Sequence, residues 1–458
     1  IKYIEVITSP GAKYDAEGIG GILNIVTVGS GFEGYTATFR GNANNNGVGA
    51  GTYAMVKQGK LTVSANYNYN YNNSPRSYSD SYRENYEPDK ENEKYLESES
   101  SSKSKGNFQY GNLEASYEID TLRLLTVAFG MYGSSDKSNS GGNTIMHGAD
   151  RQDFAYRYRT DNHGKGSWYS INGNIDYQRT SRKNKERMIT FSYKINSQPQ
   201  TNDSYNTYLD IEPDENKLDI IKELSLKNFH SDGKTNTMEQ TFQVDYTTPI
   251  GKLHTIETGA KYIFRRNSSD NRFYEAEGAS ENYAYNENRS SEYRHLNHIL
   301  SAYAGYTLKY KGFTFKPGLR YEQTIQEVKY LVGPGENFDS NFSDLVPSVS
   351  LGIKLGKTQN LRGGYNMRIW RPGIWNLNPY FDNQNPMFIN QGNPNLKSEK
   401  SHSFDLSYSS FTSKFNINLS LRHSFNNNGI ERISRLITDK DGEIFEDGHK
   451  APYGALYS

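Results

Sequence analysis

The 458 residues leave room for a large buried core, yet only 34% are apolar, and 52 Lys and Arg are balanced by 52 Asp and Glu. Zero formal charge gives no cation surplus with which to displace counterions from nucleic acid, while 13% aromatic residues, 37 of them Tyr, exceed what a disordered polar chain carries. Cys is absent, which excludes a disulfide framework, thiolate metal sites and a cysteine nucleophile; the longest apolar stretch, Leu124 to Tyr132, is too short to cross a bilayer as a helix.

The chain opens at Ile1 without Met or a charged segment leading into an apolar run, and is read as a mature or partial fragment. Ile1 to Pro10 reads as a short strand ending at a turn. The glycine-rich stretch Gly11 to Gly21 then leads into a second strand, Ile22 to Thr27. From about Gly34 the pattern changes to strict alternation. Leu61, Val63, Ala65, Tyr67, Tyr69 and Tyr71 alternate with Thr62, Ser64, Asn66, Asn68, Asn70 and Asn72. Ile171 to Gln178, Phe313 to Glu322, Val349 to Leu355, Leu361 to Ile369 and Phe415 to Leu421 repeat the pattern. Successive strand side chains point to opposite faces, so each segment has one apolar and one polar face, and no stretch shows a helical stripe.

The count comes to roughly sixteen strands of about 9–13 residues, close to the length that spans a bilayer as a tilted strand. Short connections fall near 57–60, 118–121, 180–185, 248–252, 309–313, 356–359 and 410–414. Long polar ones fall between them, near 73–105, 135–165, 198–235, 268–292, 326–343 and 370–399. Alternating short and long connections are expected of an outer-membrane barrel with periplasmic turns and external loops. The fold expectation is therefore an all-β, large antiparallel transmembrane β-barrel. Leu61, Val63, Ile175, Leu351, Ile353, Ile417 and Leu419 should face lipid. Asn66, Asn174, Asp176, Lys354 and Asn418 should face inward.

Two stretches carry a family resemblance. Ile4, Glu5, Ile7, Pro10, Ala12, Tyr14, Ala16, Gly18, Gly20, Gly21, Asn24, Ile25 and Thr27 lie in a pattern that resembles the C-terminal end of the plug domain in TonB-dependent outer-membrane receptors of the Bacteroidota type. Arg371-Pro372, Leu377-Asn378-Pro379-Tyr380 and Gly392-Asn393-Pro394-Asn395-Leu396-Lys397-Ser398-Glu399 resemble a signature of the same receptors' barrels, with Ser398 where Pro is usual. The resemblance implies a plug end over residues 1–29 and a barrel over 30–458, a member of a fold with about 22 strands when complete. It also implies a TonB-type energy-transducing partner. The A-K-Y-D-A-E-G form differs from that of the starch-utilisation receptors, which weakens the case for a surface lipoprotein lid, although a surface lipoprotein or an envelope-complex partner stays open.

Function is read as import of a scarce or bulky ligand (siderophore, cobalamin or oligomer) across the outer membrane. The alternative is a receptor-like barrel serving as surface scaffold, adhesin or envelope-complex component. Pro10, Tyr14, Gly18, Gly20, Gly21 and Asn24 are expected to seat the plug's end. Candidate ligand binders are Tyr156, Tyr158, Trp168 and Trp370, which an aromatic girdle explains equally well. No cofactor, metal or nucleic-acid partner is expected. No catalytic motif is found either: none of the nine His opens an H-E-x-x-H, and there is no G-x-S-x-G elbow. Gly352 to Thr358 falls at a strand turn rather than in a phosphate loop, and His295 and His298 belong on opposite faces of one strand. Asp439 to Glu443 reads as a hairpin turn, and the Glu/Lys/Ser run Glu84 to Glu99 as a solvated loop.

Overall fold

The computed structural model describes residues 3–7, 12, 22–26, 33–85, 94–151, 154–213, 226–276, 282–333, 335–380, 382–385, 388–439, 441–445, 449–452 and 454–458. Strands β1 (Tyr3–Ile7) and β2 (Ile22–Val26) form a separate antiparallel pair, with Glu5 opposite Asn24.

The remaining large sheet contains β3 (Gly34–Asn44), β4 (Gly47–Gln58), β5 (Leu61–Asn73), β6 (Ser77–Glu84), β7 (Tyr95–Asp120), β8 (Arg123–His147) and β9 (Phe154–Thr180). It continues through β10 (Met188–Pro213), β11 (Asn228–Ile250), β12 (His254–Ala276), β13 (Ala284–Tyr285), β14 (Ser291–Tyr310), β15 (Phe313–Val332), β16 (Phe338–Lys354) and β17 (Gln359–Trp370). After the short helix α1 (Ile374–Leu377) and small strands β18 (Asp382–Asn385) and β19 (Phe388–Asn390) come the last two, β20 (Glu399–Phe411) and β21 (Asn416–Asn427). These seventeen strands form one antiparallel sheet of the barrel wall, with neighbour paired to neighbour in a run from β3 to β21. The short β6 and β13 are side strands, so β5 pairs directly with β7 and β12 with β14, and fifteen strands run the wall.

The turns alternate as their chemistry dictates. Lys311-Gly312, with φ of 43° and 86°, has the two left-handed residues a tight hairpin between twisted strands requires. It shares one side of the barrel with Gly59-Lys60, Thr121-Leu122, 181–187, 251–253, 355–358 and 412–415. Gly352 to Thr358 thus lies at a strand end and turn, as read from sequence.

The segments expected to be long loops are something else. Strands β7 to β12 run 23 to 27 residues, so they continue as paired hairpins far past any bilayer. A 27-residue strand is roughly 90 Å long, against an apolar band about 25 Å tall. Residues 95–105 and 135–165 outside the tip are ladder, not loop, because Ser, Thr, Asn and Gly in alternation satisfy their backbone groups by pairing even without an apolar face. The Glu84 to Glu99 run is likewise strand from Tyr95 onward.

The facing expectation holds. Leu61, Ile175, Leu351, Ile353, Ile417 and Leu419 are exposed on the outer surface, and Val63 lies on the same face, opposite Ala115. Their polar neighbours turn inward. On β7–β9 the outer face is apolar through Leu113, Phe129, Val127, Ile171 and Ile175. It then becomes Lys103, Lys105, Lys137 and Lys165. The border is marked by Gln109, which accepts from the Tyr67 hydroxyl at 2.6 Å and donates to Tyr169 at 3.3 Å, as suits the head-group level.

Candidate functional site in the lumen

On the inner face of β11–β16, cross-strand partners build a continuous polar surface. One row runs Asp245, Gly259, Tyr303, Arg320; the next runs Gln243, Lys261, Ser301, Glu322, Asp344. Arg320 and Glu322 are 1% and 2% exposed and paired. Arg320 also donates to Ser301 Oγ at 2.9 Å and, at 3.5 Å, to the carbonyl of Ala12. A Cβ on Gly318 would lie 3.0 Å from Ala12 Cβ, so the N-terminal segment touches the lumen wall at that residue. Charges this deep persist only when paired and hydrogen-bonded on all sides.

Glu322 carries a second guanidinium. Arg371, from the loop between β17 and β20, pairs with Glu322 and donates to Thr324 Oγ1 at 3.1 Å. At the far end of that loop Ser398, 1% exposed, donates to Asp344 at 2.7 Å. Between these ends Leu377, fully buried, packs on Val328 and Phe338 of the inner face. The loop's two arms hold each other: Gly392 N–H donates to Asn378 O and Asn393 N–H to Asn376 O, both at 2.8 Å. A Cβ at Gly392 would sit 2.5 Å from Asn378 O, so only glycine permits this crossing. Asn378 caps Tyr380 N, Asn393 caps Asn395 N, and Pro379 O accepts from Gln391. Glu399 accepts from Asn426 at 2.7 Å, while Pro372 is buried and Pro394 half-buried beside these contacts. The signature residues therefore come together, and the loop expected to lie outside folds against the inner face of β15 and β16.

The aromatic candidates separate. Tyr156 and Tyr158 stack on the inner face of β9, and Tyr208 meets Tyr158 edge-on. Trp168 also points inward, which overturns the girdle reading for it: its partners Ser134 and Gln200 belong to the lumen rows. It joins Phe108 at 6.3 Å and Tyr132 at 5.9 Å, with Tyr110 beside Phe108 at 6.2 Å. Trp370 stands at the end of β17 opposite Glu399, away from this group. Of the plug residues, Pro10, Tyr14, Gly18, Gly20 and Gly21 lie outside the described residues, and Asn24 is described only through its pairing with Glu5.

Sequence reasoning missed Arg320, Glu322, Phe108, Tyr110 and Tyr132. The signal was available for the aromatics, since their even numbers place them in the polar register of β7 and β8. No signal in one sequence joins Glu322 to Arg371. Beyond the membrane, burial alone would raise the Asp203 carboxyl, but bonds from Lys165 and His230 outweigh it and hold it below the usual range. His295 and His298 do take opposite faces, bonding Gln326 and Tyr262. Among the described residues no His, Asp and Glu group could hold a metal ion.

A family model described as "Outer membrane protein beta-barrel family" matches residues 178–446. No curated protein matches the sequence. Among solved structures, a mutant of the ferric enterobactin receptor PfeA from Pseudomonas aeruginosa is similar at TM-score 0.55 and 12% identity, over 99% of this chain and 61% of that one. The copper transporter OprC gives 0.54 and 11%, over 92% and 57%. The alcaligin outer membrane receptor FauA from Bordetella pertussis gives 0.50 and 12%, over 98% and 60%. The chain thus spans about three fifths of these structures, and identities this low establish the shared barrel fold alone.

Proposed function

This chain belongs to the outer membrane protein beta-barrel family and resides in the outer membrane, and on that footing we propose that it is the wall and plug end of an active importer. Its ligand would be scarce or bulky, of the siderophore, cobalamin or oligomer kind, and a TonB-type protein would supply the work. Residues 1–29 form the end of the plug, and residues 30–458 the wall. The observation that carries the reading is the seating of Ala12 on the lumen wall at Arg320, next to the rung that also holds both ends of the 371–398 loop. Chain inside the lumen obstructs free diffusion, so solute passes only when that contact rearranges. Pro10, Tyr14, Gly18, Gly20, Gly21 and Asn24 are assigned to holding the segment in place.

A deletion strain tests this, grown with iron, cobalamin or oligosaccharide limiting in turn. Growth should fail in one condition, recover with the full chain, and be lost again when a protonophore collapses the energy source. Normal growth in all three, with loss of a surface assembly, would favour a scaffold. The paired hairpins rising far past the membrane are the feature that suits that second reading, since they offer a surface lipoprotein or envelope partner a rigid face.

A further inference from the structure

We infer that the inner face of β7–β9, centred on Phe108, Tyr110, Tyr132 and Trp168, is a binding surface for a neutral oligosaccharide. The inference rests on the importer reading and names the substrate class. All four side chains are between 39% and 44% exposed while pointing into the lumen. They meet tilted or edge-on, leaving ring faces open rather than closing into a core. Their depth is that of the Tyr67–Gln109–Tyr169 girdle on the other side of the wall, since Tyr169 and Trp168 are neighbours. A solute arriving from outside therefore reaches this surface at the lumen's outer end.

The surroundings decide the ligand's charge. The inward positions of β5 beside the rings are Asn66, Asn68, Asn70 and Asn72. Above them on β7 come Ser98, Ser100, Ser102 and Ser104, and on β8 Ser134, Ser138 and Ser140. On β9 the inward row includes Asn162, Ser170, Asn172 and Asn174. Along the whole inward register of β5, β7, β8 and β9 there is no Lys, Arg or His. Glu114, Asp136 and Asp176 are acidic there. The cations of the same strands, Lys103, Lys105, Lys137, Arg157, Arg159 and Lys165, all take the outer face. An anionic metal chelate would meet acids on these four strands and no counter-charge beside the rings; the inward cation Lys194 stands deeper, on β10 opposite Asn174. A sugar ring presents C–H edges to an aromatic face and hydroxyls to amides and serines, both of which are here. Displacing lumen water from open rings supplies the drive, and the amides supply orientation.

The test uses the full chain in detergent with Trp370→Phe and Trp375→Phe, so that Trp168 is the sole tryptophan. Maltohexaose, cellohexaose, xylohexaose and mannohexaose are titrated separately, beside iron(III) tris-catecholate. At least one sugar should change Trp168 emission saturably, with a dissociation constant of about 1 mM or tighter. Tyr132→Ala should weaken it roughly tenfold. Tyr132→Phe, which keeps the ring, and Tyr169→Ala, on the lipid face, should leave it nearly unchanged. A response to the catecholate with silence from the sugars overturns the inference, as does silence from all five. If the deletion strain nevertheless needs the protein for one limiting nutrient, only the sugar assignment falls. If it needs it for none, the importer reading falls as well.

Discussion

The Tyr303 hydroxyl donates to the Asp245 carboxylate across an entire intervening strand. The reach is possible because Gly259, the residue between them in the ladder, has no side chain: a Cβ there would lie 2.5 Å from Tyr303 Oη. Gln243 donates to the same hydroxyl at 3.1 Å, and the Arg320 guanidinium sits 5.2 Å from the ring centre. Three strands are thus stapled on their inner face along the same rung whose Arg320 touches Ala12.

Gly259→Ala should therefore push the ring aside and leave Asp245 with one donor fewer. The expected loss is about 1–3 kcal/mol, the range for overpacking a close contact. Urea unfolding of the bilayer-refolded protein measures it. Tyr303→Phe, which keeps the ring and removes only the hydroxyl, should cost less than Gly259→Ala, and the reverse order would place the value of the contact elsewhere.

Glu322 holds both Arg320 and Arg371, so Glu322→Gln leaves two buried guanidinium groups facing a neutral amide. A loss of about 3–5 kcal/mol is expected. Hydrogen exchange should quicken across 371–398, because that loop's first anchor is gone. Ser398→Ala removes the other anchor and orphans one bond of Asp344, for about 1–3 kcal/mol. Exchange unaltered in both variants would show that Leu377 packing alone holds the loop.

These effects mark how far the sequence was legible. Period-two alternation disclosed the strands and their facing because each wall residue meets lipid on one side and water on the other. Turn positions followed from the same rhythm. Strand lengths did not, since residues 135–165 lose their apolar face where the membrane ends yet keep pairing, and polar alternation looks like loop. The sequence alone leaves Trp168 without a face, because aromatic residues suit both a girdle and a lumen. The Glu322–Arg371 contact joins residues 49 positions apart, brought together only when β15, β16 and β17 pair and the loop after β17 folds back on their inner face.

Ile175 lies about five residues above its turn, half-way up a 9–11-residue crossing, and is 47% exposed on the outer face. Ile175→Arg should cost about 2–4 kcal/mol in bilayer-refolding titrations. Asn174→Arg, one residue away but in the lumen beside Asp176, should be tolerated. Equal costs would mean the two faces have been exchanged.

The turn after β7 should respond to acid. The Arg123 side chain, together with the backbone N–H groups of Leu122 and Arg123, holds the Asp120 carboxyl below its ordinary value. A lowered carboxyl contributes stability that is present above the unfolded pKa and is lost as pH falls through the folded one. Acid titration should therefore loosen wild-type exchange protection at 120–123 below about pH 4, the ordinary aspartate range. Asp120→Asn should be looser at neutral pH and show no such acid step. Identical profiles would remove the carboxylate from the turn's stability.

The N-terminal segment meets β15 on its lumen face at Ala12. The chain has no Cys, so Ala12→Cys with Gly318→Cys introduces a single possible disulfide. The two Cβ positions are 3.0 Å apart, near the usual 3.5–4.5 Å and close enough for a small adjustment to reach it. Mild oxidation of intact outer membranes should form the bond, detected as a reductant-reversible mobility change, and should abolish growth on the limiting nutrient until reductant is added. Two cysteines that each react with a thiol reagent but never join, with growth unaffected by oxidation, would contradict this contact.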